Sequence, residues 1–111
     1  MTEITVEELK AKTESGNPVY IIDVREPAEY AEVNMGAKLI PLGTIMNMQV
    51  EDIEDLKGEE LIVHCRSGMR SMQACIMLDQ LGFKNTVNVK GGILAWLEKY
   101  GNTKIDNAII D

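Results

Sequence analysis

The stretch from Leu61 to Ser71 has the sequence LIVHCRSGMRS. Its first four residues form a nearly continuous apolar run, which is typical of a strand buried on both faces of a parallel sheet. Residues 71–81 are apolar on most sides and are followed by Gly82, a combination that predicts a helix. A short loop that begins with Cys65 joins the two elements. The stretch therefore predicts a strand–loop–helix unit with a thiol at the carboxyl end of the strand.

Further strand and helix signals alternate on both sides of this unit. Strand-like runs lie at residues 4–6, 19–22, 38–40, 61–64 and 86–89. Helical signals lie at residues 6–15, 26–36, 44–57, 71–81 and 93–100. This alternation predicts an α/β fold with a four- to five-stranded parallel sheet and helices on both faces. Because ligands of such sheets bind beyond the carboxyl ends of the strands, Cys65 lies where a functional site is expected.

The length and composition of the chain fit one globular domain. Of its 111 residues, 45% are hydrophobic and 26% are charged, and about two thirds of the surface would be buried on folding. We expect the domain to occupy residues 1–100 and residues 101–111, which have no clear period, to form an irregular tail. No apolar run approaches the ~18 residues of a membrane span, and residues 1–4 have no signal-peptide features. We therefore expect a cytoplasmic protein with no membrane partner.

Charge and cysteine content exclude two further classes of protein. The net charge of −7 at pH 7 is opposite to the balance of nucleic-acid-binding proteins. Two cysteines, Cys65 and Cys75, are too few for a small secreted domain that rests on disulfides. Only three arginines occur, and Arg66 and Arg70 adjoin Cys65 while Arg25 is distant in sequence. The placement of two arginines beside a thiol in an acidic chain predicts a local anion site.

The residues around Cys65 favour its thiolate, which is the reactive form of cysteine. An ordinary cysteine thiol has a pKa of about 8.5 and is mostly protonated at neutral pH. The start of the following helix, the charges of Arg66 and Arg70, and a turn at Gly68 that directs N–H groups inward all favour an anion. Cys65 is therefore the candidate nucleophile. Cys75 lies within the apolar helix, and we interpret it as an inert buried thiol, with a redox pair as the alternative.

Four short motifs follow one another along the chain. They are Asp23-Val24-Arg25-Glu26-Pro27 with Glu29-Tyr30, Gly36-Ala37 with Ile40-Pro41-Leu42, the loop Cys65–Ser71, and Gly91-Gly92-Ile93-Leu94-Ala95-Trp96. In this order and spacing they resemble the motifs of the rhodanese family, the single-domain sulfurtransferases. The resemblance covers residues 3–100. It implies a single rhodanese-like domain.

The resemblance also implies a reaction and assigns roles to the loop. Cys65 would take a sulfane sulfur from an anionic donor such as thiosulfate, become a persulfide, and pass the sulfur to cyanide or another thiol. The backbone N–H groups of residues 66–70 would hold the persulfide, Arg70 would face the donor, and Arg66 would hold its sulfonate end. The predicted substrate-binding residues are Arg66, Ser67, Gly68, Met69 and Arg70. No cofactor, metal or general base is expected.

Residues outside the loop are predicted to support the site. We group Asp23, Arg25 and Ser71 as supporting residues. Arg25 follows Asp23 at the end of another strand, and an ion pair that orders the fold is favoured over a contact with the substrate. His64 is interpreted as structural, because neighbouring residues of a strand point to opposite faces. The expected partners are a small anionic sulfur donor and a protein thiol acceptor, and we expect a monomer or a weak homodimer.

Two other functions remain open at this point. A phosphatase or arsenate reductase of the same fold needs an arginine six positions after its cysteine. Here Ser71 occupies that position and Arg70 precedes it, so the shorter loop suits one sulfur atom better than a phosphate. A rhodanese-like module that only binds or senses a ligand is the other alternative, although such modules often lack the cysteine.

Overall fold

A computed structural model of the protein describes residues 1–105 and 108–109. The strands are β1 (Thr2–Ile4), β2 (Val19–Asp23), β3 (Lys38–Leu39), β4 (Glu60–His64), β5 (Asn85–Val89) and β6 (Ala108–Ile109). The helices are α1 (Val6–Glu14), α2 (Pro27–Glu32), α3 (Leu42–Met46), α4 (Met69–Gln80) and α5 (Gly92–Tyr100), and Glu51–Leu56 form a 3₁₀ helix. Within these residues, no helix has the length and apolar character to cross a bilayer.

The strands form one parallel sheet in the order β1-β5-β4-β2-β3. The short strand β6 also pairs with β2, beside Val19 and Tyr20, whereas β3 pairs with the last two residues of the same strand. The central strands β4 and β2 end side by side, with His64 in register with Asp23. The predicted α/β fold with a parallel sheet is confirmed.

The alternation of side chains along the strands builds two apolar cores, one on each face of the sheet. In β4, Leu61 and Val63 join the core that also contains Cys65 and residues of α3, the 3₁₀ helix and α4. Ile62, between them, joins the core on the other face, which contains residues of α1 and α5. Because both faces are covered, the successive residues Leu61, Ile62 and Val63 of β4 are all apolar, with no alternation of polar and apolar side chains. This confirms the predicted placement of helices on both faces.

The prediction of one helix over residues 44–57 is wrong. The chain forms α3, then a turn in which Met48 has a φ of 60°, and then the 3₁₀ helix. The apolar residues at positions 46, 50, 53 and 56 have helical spacing, but Met46 is exposed and Ile45 is fully buried in its place. The turn allows Ile45 and Val50 to reach the same core, which one straight helix would prevent.

Several element ends differ from the sequence-based bounds. Helix α4 begins at Met69 rather than at residue 71, because Gly68 adopts a φ of 113° and forms its N-cap. Helix α2 ends at Glu32, four residues before the predicted end, and Val33 is already extended. Strand β1 ends at Ile4, so that Thr5 is free to cap α1 through its side chain.

The end of the chain folds back onto the domain. Ile105 is buried and its N–H donates to the carbonyl of Met35 at 2.8 Å. The indole N–H of Trp96 donates to the carbonyl of Thr103, also at 2.8 Å. The sequence pattern did not indicate β6, which forms because β3 leaves the first part of the β2 edge unpaired. Residues 106–107 and 110–111 of the predicted tail lie outside the described residues.

A buried ion pair holds the carboxyl end of β2. Asp23 and Arg25 are 0% and 3% exposed, and their closest oxygen and nitrogen are 2.7 Å apart. The Arg25 guanidinium also donates to the carbonyls of Val33 and Glu29. The ion pair that the sequence analysis favoured for Arg25 is therefore present. It ties β2 to α2 and to the residues that follow this helix.

We predict that Arg25→Ala lowers the free energy of unfolding by about 3–5 kcal/mol, because it leaves the carboxylate of Asp23 buried without its partner. Urea denaturation followed by circular dichroism measures this. The double variant Asp23→Asn/Arg25→Ala removes the unpaired charge as well and should recover part of the loss. A loss below about 1 kcal/mol for the single variant, the size typical of an exposed pair, would contradict the structural role.

Candidate active site

Cys65 lies directly after β4, at the bottom of the loop that leads into α4. Its side chain is 1% exposed, and Sγ accepts hydrogen bonds from the backbone N–H groups of Gly68 at 3.1 Å and Ser71 at 3.3 Å. The loop can curl around the sulfur because Gly68 has a φ of 113°, which favours glycine. The sulfur thus occupies a small nest of N–H donors where β4 ends and α4 begins.

Ser71 extends this nest with a side-chain hydroxyl. Its Oγ lies 3.3 Å from Sγ of Cys65 and also donates to Oδ1 of Asn88 in β5. The amide of Asn88 in turn donates to the carbonyl of Gly68 at 3.3 Å. A hydroxyl has only one proton to donate. While Ser71 donates to Asn88, it can accept a hydrogen bond from the protonated thiol of Cys65. To donate to the thiolate, the hydroxyl must turn toward the sulfur.

The hydrogen bonds favour the thiolate of Cys65 against the effect of burial. Burial by itself raises the pKa of the thiol, because it disfavours the charged form. The hydroxyl of Ser71 and the backbone N–H groups of Ser71, Gly68 and Ser67 lower the pKa, and together they bring it below the ordinary value. Hydrogen bonds to the anionic form therefore outweigh desolvation.

Cys75 is in the opposite situation. Burial raises the pKa of its thiol to about 12, far above the usual range. Both cysteines are free thiols in this structure. These features support the interpretation of Cys75 as an inert residue of the core.

Helix α5 holds the outer side of the loop. The N–H of Ile93 donates to the carbonyl of Cys65 at 2.9 Å, and the N–H of Leu94 donates to the carbonyl of Arg66 at 3.1 Å. Gly92 passes so close to the loop that a Cβ atom would come within 2.5 Å of both carbonyl oxygens. The loop is thus fixed with its carbonyls bound to α5 and its N–H groups directed at the sulfur.

The arginines of the loop have different surroundings. Arg70, expected to face the donor, instead forms two hydrogen bonds to the carboxylate of Glu29 in α2, at 2.7 and 2.9 Å. Arg66 is exposed and lines a groove of about 360 Å³ together with Glu29, Glu32 and Leu94. Among the described residues, Arg66 has no ion-pair partner. The loop therefore carries one paired and one unpaired cation.

The other predicted loop residues differ in their contact with the sulfur. Ser67 contributes its backbone N–H, while its side chain is exposed. Met69 is 71% exposed and forms the first turn of α4 rather than a contact with Sγ. Of the supporting residues, Ser71 touches Sγ, whereas Asp23 and Arg25 are engaged with each other.

His64 is fully buried beside the Asp23–Arg25 pair. Its Nδ1 lies 3.4 Å from the carbonyl of Cys65, and its Nε2 lies 3.5 Å from Asp23. Burial lowers the pKa of the ring, so His64 is neutral, and it makes no hydrogen bond to the sulfur. Within the described part of the chain, no cluster of three or more histidine, cysteine, aspartate or glutamate side chains is arranged to hold a metal ion.

Three contributions to the site were missed in the sequence analysis. Asn88 could have been found, because Thr86 and Asn88 stand two positions apart and alternate with Val87 and Val89. Residues two apart in a strand lie on the same face, so this pattern indicates a polar face. The role of Gly92 in holding the loop and the pairing of Glu29 with Arg70 had no local signal. Each depends on an approach between elements that are distant in sequence.

Comparisons with known proteins agree with this geometry. The model of the rhodanese-like domain family matches residues 5–99. The chain is 45% identical over 108 residues to "Putative sulfurtransferase YtwF" of Bacillus subtilis, covering 95% of this chain and 96% of that protein. It is 35% identical over 99 residues to a sulfurtransferase of Allochromatium vinosum, covering 86% and 88% of the two chains. A rhodanese-like domain protein of Staphylococcus aureus has a similar crystal structure, with a TM-score of 0.76, 38% identity, and coverage of 86% of this chain and 91% of that one.

These matches span nearly the whole chain and include both sequence and structure. The protein belongs to the rhodanese-like domain family, as the four motifs indicated.

We predict that Ser71→Ala raises the pKa of Cys65 by about one to two units, because a hydrogen bond to a charged group is worth about 1.5–3 kcal/mol and 1.36 kcal/mol corresponds to one unit. The ultraviolet absorbance of the thiolate, measured against pH with Cys65→Ser as the blank, reports this pKa. Ser71→Thr keeps a hydroxyl and should keep the pKa closer to that of the wild type. An unchanged pKa in Ser71→Ala would contradict the assigned contact.

We predict that Gly92→Ala lowers the free energy of unfolding by on the order of 2–4 kcal/mol, because its Cβ would overlap the loop carbonyls and its φ of 55° is strained for alanine. Chemical denaturation measures the loss. Gly58→Ala is the control, since no atom lies within 4 Å of a Cβ at that position. Equal stability of the two variants would show that α5 is not closely packed on the loop.

Proposed function

We propose that the protein is a sulfurtransferase that moves a sulfane sulfur through a persulfide on Cys65. The observation that carries this proposal is the environment of Sγ. This atom accepts hydrogen bonds from backbone N–H groups and contacts the Ser71 hydroxyl, and the pKa of the Cys65 thiol is lowered. A thiolate of this kind is ready to attack without a general base. The neutral, buried state of His64 agrees with a mechanism that uses no such base.

In the first half-reaction, the thiolate of Cys65 attacks the outer sulfur of thiosulfate. The bond between the two sulfurs of the donor breaks, sulfite leaves with the electron pair, and Cys65 becomes a persulfide anion. The N–H groups of Ser67, Gly68 and Ser71 support the negative charge of the sulfur atoms. The exposed guanidinium of Arg66 attracts the anionic donor to the groove beside the loop.

In the second half-reaction, an acceptor attacks the terminal sulfur of the persulfide. With cyanide as the acceptor, thiocyanate forms and the thiolate of Cys65 is restored. A thiolate acceptor, including a cysteine of a partner protein, gives a new persulfide by the same displacement. No electron is gained or lost by the enzyme over the full cycle.

The position six residues after Cys65 bears on the phosphatase alternative. Ser71 occupies it and uses both its N–H and its hydroxyl on the sulfur. No guanidinium enters the loop from this position to bind a phosphate. The site is therefore better matched to one additional sulfur atom than to a tetrahedral oxyanion.

We predict that the wild type forms thiocyanate from thiosulfate and cyanide, and that Cys65→Ser loses this activity by at least about a thousandfold, because serine cannot form the persulfide. Cys75→Ser is the matched control and should retain activity. Mass spectrometry after thiosulfate alone should show one added sulfur atom on the wild type and none on Cys65→Ser.

Two results would contradict this function. Hydrolysis of an aryl phosphate that depends on Cys65, with no sulfur transfer from any donor, would favour a phosphatase. Absence of both reactions and of the added sulfur would favour a module that binds without catalysis.

A further inference from the structure

The ion pair between Glu29 and Arg70 lies beside the loop that holds the thiol. Arg70 belongs to the first turn of α4, five residues after Cys65, and Glu29 lies in the first turn of α2. Each side chain is about one third exposed, and the pair is bidentate, with distances of 2.7 and 2.9 Å. Bidentate contacts between arginine and a carboxylate are stronger and more precise in direction than ordinary surface pairs.

Glu29 is also held from its own helix. Its carboxylate accepts the N–H of Glu26 at 3.0 Å as part of the capping of α2, and its backbone carbonyl accepts from Arg25. The hydrogen bond from Arg70, followed by that from Glu26, lowers the pKa of Glu29 to about 2. Glu29 is therefore charged at neutral pH, and its carboxylate is held by both Arg70 and the N–H of Glu26.

The guanidinium of Arg70 interacts with the carboxylate of Glu29 and, more weakly, with the charge of Cys65. Its pKa is raised first by the hydrogen bond to Glu29, and the charge of Cys65 adds to the increase. Arg70 directly precedes Ser71, whose N–H and hydroxyl contact Sγ, so its guanidinium belongs to the rim of the site, and Glu29 cancels much of its field. A donor that reaches Cys65 meets a nearly neutral pair where the sequence suggested a free cation.

A second carboxylate lines the same groove without such a contact. Glu32 follows Glu29 by three residues on α2 and borders the groove beside Arg66 and Leu94. Among the described residues, the side chain of Glu32 forms no hydrogen bond or ion pair. Replacement of Glu32 by glutamine removes the same charge from the same helix while the pair of Glu29 with Arg70 remains.

We propose that Glu29 sets the charge preference of the site for its sulfur donor. By holding Arg70 in a bidentate pair, it weakens the attraction of a doubly charged donor, such as thiosulfate, relative to a donor with one negative charge. This inference rests on the proposed sulfurtransferase function and adds the class of donor. It makes Glu29 a specificity-determining residue that acts through Arg70 rather than by contact with the reacting sulfur.

Two donors that differ by one charge provide the test. Thiosulfate is a dianion, and methanethiosulfonate is a monoanion that also carries a terminal sulfane sulfur. The thiolate of Cys65 attacks that sulfur, the sulfur–sulfur bond breaks, and methanesulfinate leaves with the electron pair. Both reactions leave the same persulfide on Cys65, so cyanide serves as the common acceptor and kcat/KM is measured for each donor.

In Glu29→Gln, we expect kcat/KM for thiosulfate to rise by about three- to tenfold, because the guanidinium of Arg70 is no longer held by a carboxylate and is free to turn toward the dianion. The effect on the free energy scales with the charge of the donor, so kcat/KM for methanethiosulfonate should rise only by the square root of that factor. The ratio of the two values should fall back toward that of the wild type at high ionic strength. Glutamine keeps the oxygen that caps α2, and near-ultraviolet circular dichroism verifies the fold.

Two further variants test whether the effect comes from the Glu29–Arg70 pair or from the negative charge of the groove as a whole. Glu32→Gln should change the ratio by less than half as much, and Glu29→Gln in an Arg70→Gln background should lose most of its effect. The rate of alkylation of Cys65 by neutral iodoacetamide, measured in each variant, corrects for changes in the thiolate itself.

Two kinds of result would overturn the inference. If wild type transfers sulfur but Glu29→Gln leaves the ratio unchanged, lowers it, or matches Glu32→Gln, Glu29 does not set the charge preference and the proposed function stands. If wild type forms no persulfide with either donor, the proposed function fails and this inference fails with it.

Discussion

The contact between α5 and the loop after β4 fixes the arrangement of the entire site. The first N–H groups of α5 bind the carbonyls of Cys65 and Arg66, and a peptide whose carbonyl faces one way directs its N–H the other way. The N–H of Ser67, which shares a peptide with the carbonyl of Arg66, therefore faces the sulfur. Gly92 permits this contact, because any side chain there would occupy the space of the loop carbonyls. The reactivity of the thiol thus depends on the packing of a helix more than twenty residues away.

Hydrogen bonds from the Ser71 hydroxyl and from backbone N–H groups, rather than arginine charges, stabilise the thiolate. Of the three arginines, Arg25 is bound to Asp23 and Arg70 to Glu29, and Arg66 is exposed beside the groove. The direct contacts of Sγ are N–H groups and the Ser71 hydroxyl. The backbone N–H donors among them do not have to move when charge passes from one sulfur to the next in the proposed persulfide. They suit a proposed cycle in which the charge at Cys65 stays near −1 while the sulfur chain lengthens and shortens.

The buried charges at the end of β2 pair with each other rather than with the thiol. Asp23 is fully buried but paired, and His64 beside it is neutral because burial lowers the pKa of its ring. This polar cluster ties the ends of β2 and β4 together at the same edge of the sheet where the active loop begins. The N–H of Val24 donates to the carbonyl of His64 at 3.0 Å, so backbone pairing between β2 and β4 continues up to the residue that precedes Cys65.

The sequence by itself determined the elements whose signals are local. The apolar run before Cys65 predicted the strand. Gly68 and the start of the following helix predicted the turn and the nest of N–H groups. These features could be predicted because residues close in sequence impose them. The helix over residues 44–57 was mispredicted for the same reason, since periodicity cannot show that Ile45, rather than Met46, reaches the core. Only the tertiary structure decided that Glu29 neutralises Arg70, that Asn88 orients Ser71, that α5 holds the loop and that Ala108–Ile109 join β2. The two side-chain pairs are 41 and 17 residues apart, and the paired residues of β6 and β2 are farther apart still. No local pattern encodes an approach that the crossovers of a parallel sheet create.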